Sequence, residues 1–451
     1  MRDREPATSS DQDREVIPPR SSYSRRNWPA PWIFVLTPVS YGIFAGYVQT
    51  ALPWLLRQSG YSVDRIGTIV ALILSPMAFY FVFSPLLDFA LRRRTWMLVT
   101  SALAGATLAA AIALLGSHIL LAQWLLLAGF TLSELSSSSG GALIAITQED
   151  DRKGRAGAWL QGGALASQAA GGALLLYFAQ HLSVLTLALV AALLVLAPAA
   201  VALTIPESPR SSTLKNLAET CLAMGREIRE TLFSLKALPG ILLLMSPVGT
   251  GAAQSLFAAM SRDYQVGARG VMLVNGMLGA VLNLAGASIA ILAPSRWDRR
   301  IAYAGAGLAS ALSGIFLACA PITPLSYYAG VATYIFAAGA CWGFFLGVVM
   351  VTMGEAGLSA GSRYCILVSL GNLPIVYMTM IESRGYALLG IRGVPAADAL
   401  GNLLVVLAVG WWIIFRKKRS RSAVPSAEAA SDECAVSFPA VPAAMEPAGI
   451  E

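Results

Sequence analysis

The sequence predicts an all-α polytopic membrane protein, with twelve transmembrane helices arranged as two six-helix bundles. Three observations carry that prediction. Only 13% of the 451 residues are charged while 56% are hydrophobic, against roughly a quarter charged in soluble domains. Apolar stretches long enough to cross a bilayer recur twelve times. Basic residues concentrate on alternate connecting segments. The charge deficit excludes a disordered chain and argues against a soluble multidomain enzyme. A formal net charge of +7 would suggest nucleic acid in a soluble protein, but here it describes loops, so no nucleic-acid partner is expected.

The spans fall at about 31–56, 66–87, 95–115, 119–147, 156–180 and 183–204. After a polar gap they resume at 238–260, 270–292, 301–320, 325–352, 363–383 and 397–415. Each reaches the length of about 20 residues that a helix needs to cross the hydrocarbon. The expected organisation is an N-terminal tail (1–30), a six-helix bundle (31–204), a central loop (205–237), a second six-helix bundle (238–415) and a disordered tail (416–451). The tail opens with Arg416-Lys-Lys-Arg-Ser-Arg421 and continues rich in Ala, Pro and Ser, a composition with little to bury. The first 27 residues are polar and hold no apolar h-region, so the first span is expected to direct insertion itself.

Orientation follows from counting. With a cytoplasmic N-terminus, 26 of the 32 basic residues lie on inside segments. The outside ones are Arg57, Arg65, Arg262, Arg269, Arg384 and Arg392. That asymmetry predicts both termini in the cytoplasm and supports an even number of spans.

The halves show a faint repeat. Tyr61, Val63 and Gly67 precede or open span 2, and Tyr264, Val266 and Gly270 stand in the same order before span 8. Gly46 and Gly249, and Arg93 and Arg296, share the same offset, as expected of a duplicated transporter. In the central loop Leu214, Leu217, Cys221, Ile228, Leu232 and Leu235 recur at helical spacing among basic residues. The segment reads as an amphipathic helix on the inner membrane surface, with simple linkage of the two halves as its expected role. Five scattered cysteines without a CxxC pair and two histidines, His118 and His181, indicate no metal site, and no cofactor is expected.

Acidic residues give the sharpest functional signal. Twenty of 25 belong to inside segments, and Asp64, Asp263, Glu382 and Asp398 are placed near the outer face. Glu134 alone falls at the middle of a span. A carboxylate there costs a few kcal/mol, so it should face a cavity or a partner. Thr131, Glu134, Ser138 and Gly141 share one face of span 4. Glu134 is therefore the candidate for binding substrate or a coupling proton; a protonated carboxyl bonded to a neighbouring helix is the structural alternative. Gln161 and Gln168 on span 5, and Asn275, Gly279, Asn283 and Gly286 on span 8, read first as small-residue faces for close helix packing. Gln49, Gln254 and Asn372 are single candidates for lining a cavity. Pro38, Pro53, Pro76, Pro85, Pro247 and Pro374 within or at the ends of spans predict kinks. After span 2, Asp88 precedes Arg92, Arg93 and Arg94. Such a group can form a conformational latch or simply obey the positive-inside rule.

Asp followed by basic residues between spans 2 and 3 resembles the signature loop of the major facilitator superfamily, with Ser84 and Leu91 where that signature has Gly. The run Gly46-Tyr47-Val48-Gln49, Leu52-Pro53, Ile66-Gly67 and Ser84-Pro85-Leu86-Leu87-Asp88 is similar to one branch, that of AmpG-like muropeptide permeases, acetyl-CoA transporters and siderophore importers. The likeness is carried by spans 1–3 and elsewhere by layout. Unlike those permeases, span 4 has Ser136–Ser139 and a lone Glu134. The resemblance implies a proton-coupled permease, a symporter moving a small organic solute by alternating access. It further implies a bacterial inner-membrane location and spans 1, 4, 7 and 10 lining the path. Tyr41, Gln49, Thr131, Glu134, Ser138, Gln254, Tyr334 and Trp342 lie on those spans, and Asn372 on span 11. The expected partners are the solute, protons and the bilayer, and the expected unit is a monomer. An uncoupled transporter-like receptor or lipid scramblase would share this topology. A membrane-embedded enzyme would need convergent acids, bases or metal ligands, which the spacing does not offer.

Overall fold

A computed structural model describes residues 29–83, 87, 91–148, 150–206, 217–294, 297–353 and 360–422. Asp88, most of its loop and the tail beyond Ser422 lie outside the described residues. The first span is built in pieces: a 3-10 turn at Pro31–Val35, α1 (Val39–Gly46), a π turn at Tyr47–Ala51 and α2 (Leu52–Gln58). Pro53 has no N–H to offer the Gln49 carbonyl four residues back, and the wider π turn sits at that gap. Next, α3 (Val63–Leu74) and α4 (Pro76–Phe83) are divided at Ser75 by Pro76. Then come α5 (Arg93–Leu114), α6 (Ile119–Thr147), α7 (Asp150–His181) and α8 (Val184–Leu196), the last running into 3-10 turns over Ala197–Thr204.

The central helix is α9 (Leu217–Leu232), and Glu230 on it lies 3.5 Å from Arg363. Beyond it are α10 (Leu238–Leu244), α11 (Gln254–Met260), α12 (Ala268–Val271), a π turn at Met272–Met277 and α13 (Leu278–Leu292). The chain continues as α14 (Arg299–Cys319), α15 (Pro324–Met353), α16 (Ala360–Leu389), a 3-10 turn at Gly390–Arg392 and α17 (Gly393–Ser422). Thus α17 carries the Arg416–Arg421 basic run as helix, past the boundary expected at 415.

Among the described residues, ten stretches are long and apolar enough to cross a membrane. The last, Arg363–Trp412, contains both α16 and α17, folded back at Gly390, whose φ of +65° suits glycine. Leu238–Met260 is not among the ten because residues 245–253 between α10 and α11 are unwound. Large apolar side chains on outer faces, such as Trp124, Leu185, Leu189, Leu193, Leu407 and Trp411, are well exposed. Faces of that kind are made for hydrocarbon rather than water.

Packing divides the molecule along its length. The largest buried cluster joins Phe44, Tyr47, Leu52 and Ile66 to Leu256, Phe257, Tyr327 and Tyr334, so at that level the N- and C-terminal helices share one core. Two smaller clusters stay apart: Phe34, Met97, Leu143 and Ala199 in one, Ile241, Val248, Tyr303 and Phe345 in the other. Close backbone approach fixes the 3-10 turn at Pro31–Val35 on α7, where a Cβ at Gly163 would meet the Val35 carbonyl. Its neighbour Gly162 faces open space. Gly163→Ala should therefore destabilise the fold by about 1–3 kcal/mol, lowering the apparent melting temperature in a detergent-based unfolding assay. Gly162→Ala should leave it unchanged.

Candidate functional site

A central cavity lies between α1, α7 and the π turn at Tyr47–Ala51 on one side and the unwound segment, α11 and α13 on the other. Two lobes of about 40 and 70 Å³ share Gln49, Leu165, Gln168, Gln254 and Asn283 as lining residues. The smaller lobe adds Asn275, and the larger adds Tyr41, Gln161, Thr250 and Trp342. Six carboxamides thus face one space whose lining carries no charged side chain. Gln168 Nε2 donates to Gln49 Oε1 at 3.2 Å, leaving the other amide groups of both free for a solute. Each amide offers two donors and an acceptor oxygen, a set suited to hydroxyl and amide groups. In this conformation the space is small, since a water molecule occupies about 30 Å³ in the liquid.

The unwound segment shapes one wall. Gly249 (φ +62°) and Gly251 (φ +65°) adopt left-handed backbone that other residues avoid. Three of its polar backbone groups are met by side chains from three helices. Tyr377 donates to the Met245 carbonyl at 2.8 Å, Tyr303 to the Val248 carbonyl at 2.7 Å, and the Gly249 N–H donates to Asn402 Oδ1 at 2.9 Å. Unwound backbone at membrane depth is tolerated only where it is buried in protein or lines a cavity, and this segment does both.

The sequence candidates distribute unevenly. Tyr41, Gln49, Gln254 and Trp342 line the cavity. Glu134 is half-buried on α6, within electrostatic reach of Tyr41 and Tyr80, one side chain behind the wall. Thr131 turns its hydroxyl to the Leu127 carbonyl of its own helix, and Ser138 is half-buried a turn beyond Glu134. Tyr334 is fully buried away from the cavity and donates to Asp398 Oδ1 at 2.8 Å. Asn372 ties α16 to α4 by donating to the Met77 carbonyl at 3.3 Å. For the expected latch, Asp88 lies outside the described residues; Arg92 is exposed just before α5, and Arg93 and Arg94 open that helix.

Three features escaped the sequence reading. Gln161, Gln168, Asn275 and Asn283 stood on faces read as packing surfaces, yet they line the cavity; Gly286 on the same stripe does pack, against the Phe336 carbonyl. Two acids placed near the outer face, Glu382 and Asp398, are fully buried in the protein. The short turn between α16 and α17 draws these acids inward, a pairing that distance along the sequence hides. A polar tie also closes one end of the molecule. Arg57 Nη2 lies 2.8 Å from Asp263 Oδ1, Tyr386 donates to Asp263 Oδ2 at 2.8 Å, and Arg57 Nη2 donates to the Tyr386 hydroxyl at 3.1 Å. The tie links α2 to the loop after α11 and to the end of α16.

Residues 34–378 match the Major Facilitator Superfamily, well over half of the chain. The chain belongs to that superfamily, and is an integral, multi-pass membrane transporter rather than an enzyme. Comparison with curated protein sequences gave no match. Among solved structures, a D-xylose-proton symporter is similar at 15% identity and a TM-score of 0.64, covering 84% of this chain and 95% of that one. The inward-open xylose transporter XylE from E. coli is similar at 14% identity and a TM-score of 0.62, over 84% and 94% of the two chains. These likenesses show the fold.

The Arg57–Asp263 pair is partly exposed, and such pairs contribute about 0–1 kcal/mol. Asp263→Asn should accordingly raise the population open at this end by up to about fivefold. The measurement is the distance distribution between spin labels at Ser59 and Gly267, with partial recovery in the Arg57→Asp/Asp263→Arg exchange.

Proposed function

We propose that the chain is a proton-coupled symporter that moves a small hydroxyl- and amide-bearing solute by alternating access. The observation that carries this reading is the cavity of six carboxamides, Tyr41 and Trp342 with no charge in its lining. A sugar, a sugar-peptide or an uncharged siderophore offers the matching groups. A polyanion such as an acyl-CoA would call for Lys or Arg, and none lines the space. Assignment to the branch of AmpG-like permeases, acetyl-CoA transporters and siderophore importers rests on the sequence run through spans 1–3. The D-xylose-proton symporter offers an analogy for the coupled ion and not for the solute.

Twelve spans follow if Arg363–Trp412 is divided at Gly390 and the interrupted Leu238–Met260 is added to the ten. Two bundles, 31–204 and 238–415, are supported by the two separate smaller cores. The basic-residue asymmetry puts both termini in the cytoplasm, in a bacterial inner membrane, with the Arg57–Asp263–Tyr386 tie at the outer face. This conformation is then closed outside, while the cores of the two bundles stand apart on the other side. Glu134 would carry the coupling proton: it lies within electrostatic reach of Tyr41, and among the described residues no basic side chain is bonded to it.

A thermal-shift screen of the purified protein with neutral sugars, sugar-peptides and uncharged siderophores should yield a stabilising solute. At a fixed solute concentration its shift should shrink in Gln168→Ala and Asn283→Ala, each weakening binding by about tenfold. Glu134→Gln should keep solute counterflow in proteoliposomes while losing accumulation driven by a proton gradient. Full proton-driven accumulation in that variant would overturn the role of Glu134, and absence of counterflow in the native protein would favour a receptor or scramblase.

A further inference from the structure

We infer that Glu382 and Asp398 form a second proton-binding site, in which one proton is shared between two carboxyl groups and its presence is relayed to the cavity wall through Asn402. This site is distinct from Glu134, lies in the other half of the chain, and does not depend on Glu134 being the coupling residue.

The geometry distinguishes the two carboxyls. Both oxygens of Asp398 accept hydrogen bonds, Oδ1 from the Tyr334 hydroxyl at 2.8 Å and Oδ2 from Asn402 Nδ2 at 3.2 Å. Gly385 on α16 approaches the Gly393 carbonyl and Ala397 Cβ on α17, which brings Glu382 within interaction range of Asp398; Glu382 is fully buried, and neither of its oxygens is reached by a donor. A carboxylate that accepts on both oxygens beside a carboxyl that no donor approaches is the pattern of a base next to an acid. The proton belongs on Glu382, facing Asp398.

The surroundings supply no other neutralising charge. The titratable groups that interact with the pair are Tyr334 and Cys341, both on α15. Helix α14 packs on α17 through Gly307 and Gly314, and α11 contributes Phe257, whose ring meets Tyr334 edge-on at 5.1 Å. From α3, the element packed on α16, Gly67 faces Ser383. No Lys, Arg or His interacts with the pair among the described residues. Two adjacent carboxylates in so dry a place would repel strongly, so a bound proton is what lets them lie together.

Asn402 carries the connection. Its amide nitrogen donates to Asp398 while its oxygen accepts from the Gly249 N–H, and the next two residues, Thr250 and Gly251, line the cavity. Release of the proton to water leaves two charges that must be hydrated or separated. Either outcome pulls at Asn402 and so at the unwound wall.

The test uses the full chain in lipid membranes, with Glu134→Gln as background so that this carboxyl does not contribute. Infrared difference spectroscopy between neutral and alkaline pH should show the C=O stretch of a buried protonated carboxyl. Glu382→Gln should remove it. Asp398→Asn should retain it at a shifted frequency, because Glu382 then stands alone. Hydrogen exchange over residues 245–253, corrected for intrinsic rates, should rise by about tenfold or more at alkaline pH in the background protein. It should lose that pH dependence in Glu382→Gln, a near-isosteric variant whose monodispersity checks the fold. A band that survives Glu382→Gln would overturn the proposal. So would a band abolished at neutral pH by sodium but not by choline, which would make the pair a metal-cation site. Exchange over 245–253 with the same pH dependence in both proteins would overturn the relay.

Discussion

Unwound backbone inside a membrane protein must find its hydrogen bonds elsewhere, and in residues 245–253 the Met245 and Val248 carbonyls and the Gly249 N–H find theirs on three other helices. Tyr303, Tyr377 and Asn402 hold the segment between α10 and α11 from α14, α16 and α17. An unsatisfied peptide group in hydrocarbon costs several kcal/mol, so these helices cannot shift independently of the break they support. The segment in turn presents Thr250 and Gly251 to the cavity, with Gln254 opening the helix that follows. Movement of the C-terminal helices and the shape of the solute space are mechanically one problem.

Charge is kept away from the solute. The cavity uses neutral amides, while three carboxyls stand behind or beyond its walls: Glu134 on one side, Glu382 and Asp398 on the other. Among the described residues no basic side chain is paired with them, an arrangement that favours protonated or hydrogen-bonded acids. Proton binding can thus alter the walls without placing an ion against the solute. The Arg57–Asp263–Tyr386 tie is of a different kind, partly exposed and individually weak, which suits a contact able to form and break.

Much of this was legible in the sequence. Length and apolarity located the helices, and Arg57, Arg262 and Asp263, which the sequence grouped on one side, meet at one end. Pro247 predicted a kink, but the full unwinding depends on Tyr303, Tyr377 and Asn402, partners far away in sequence. Gly46 and Gly249 share the repeat offset yet differ in structure, the first inside a helix and the second at left-handed φ. Polar stripes mixed with glycine do not declare which face packs and which face opens. Glu382 and Asp398 looked peripheral because each lies near the end of a helix, and only the fold-back at Gly390 sets them side by side.

The central claim is that solute and proton cross together through an uncharged site. The direct measurement is the internal pH of proteoliposomes, followed with a trapped dye, when a solute selected by thermal shift is added outside with no imposed gradient. The account predicts that the interior acidifies as solute enters, and that both signals fall together by about tenfold in Gln168→Ala at subsaturating solute. Solute entry with no change in internal pH would contradict it.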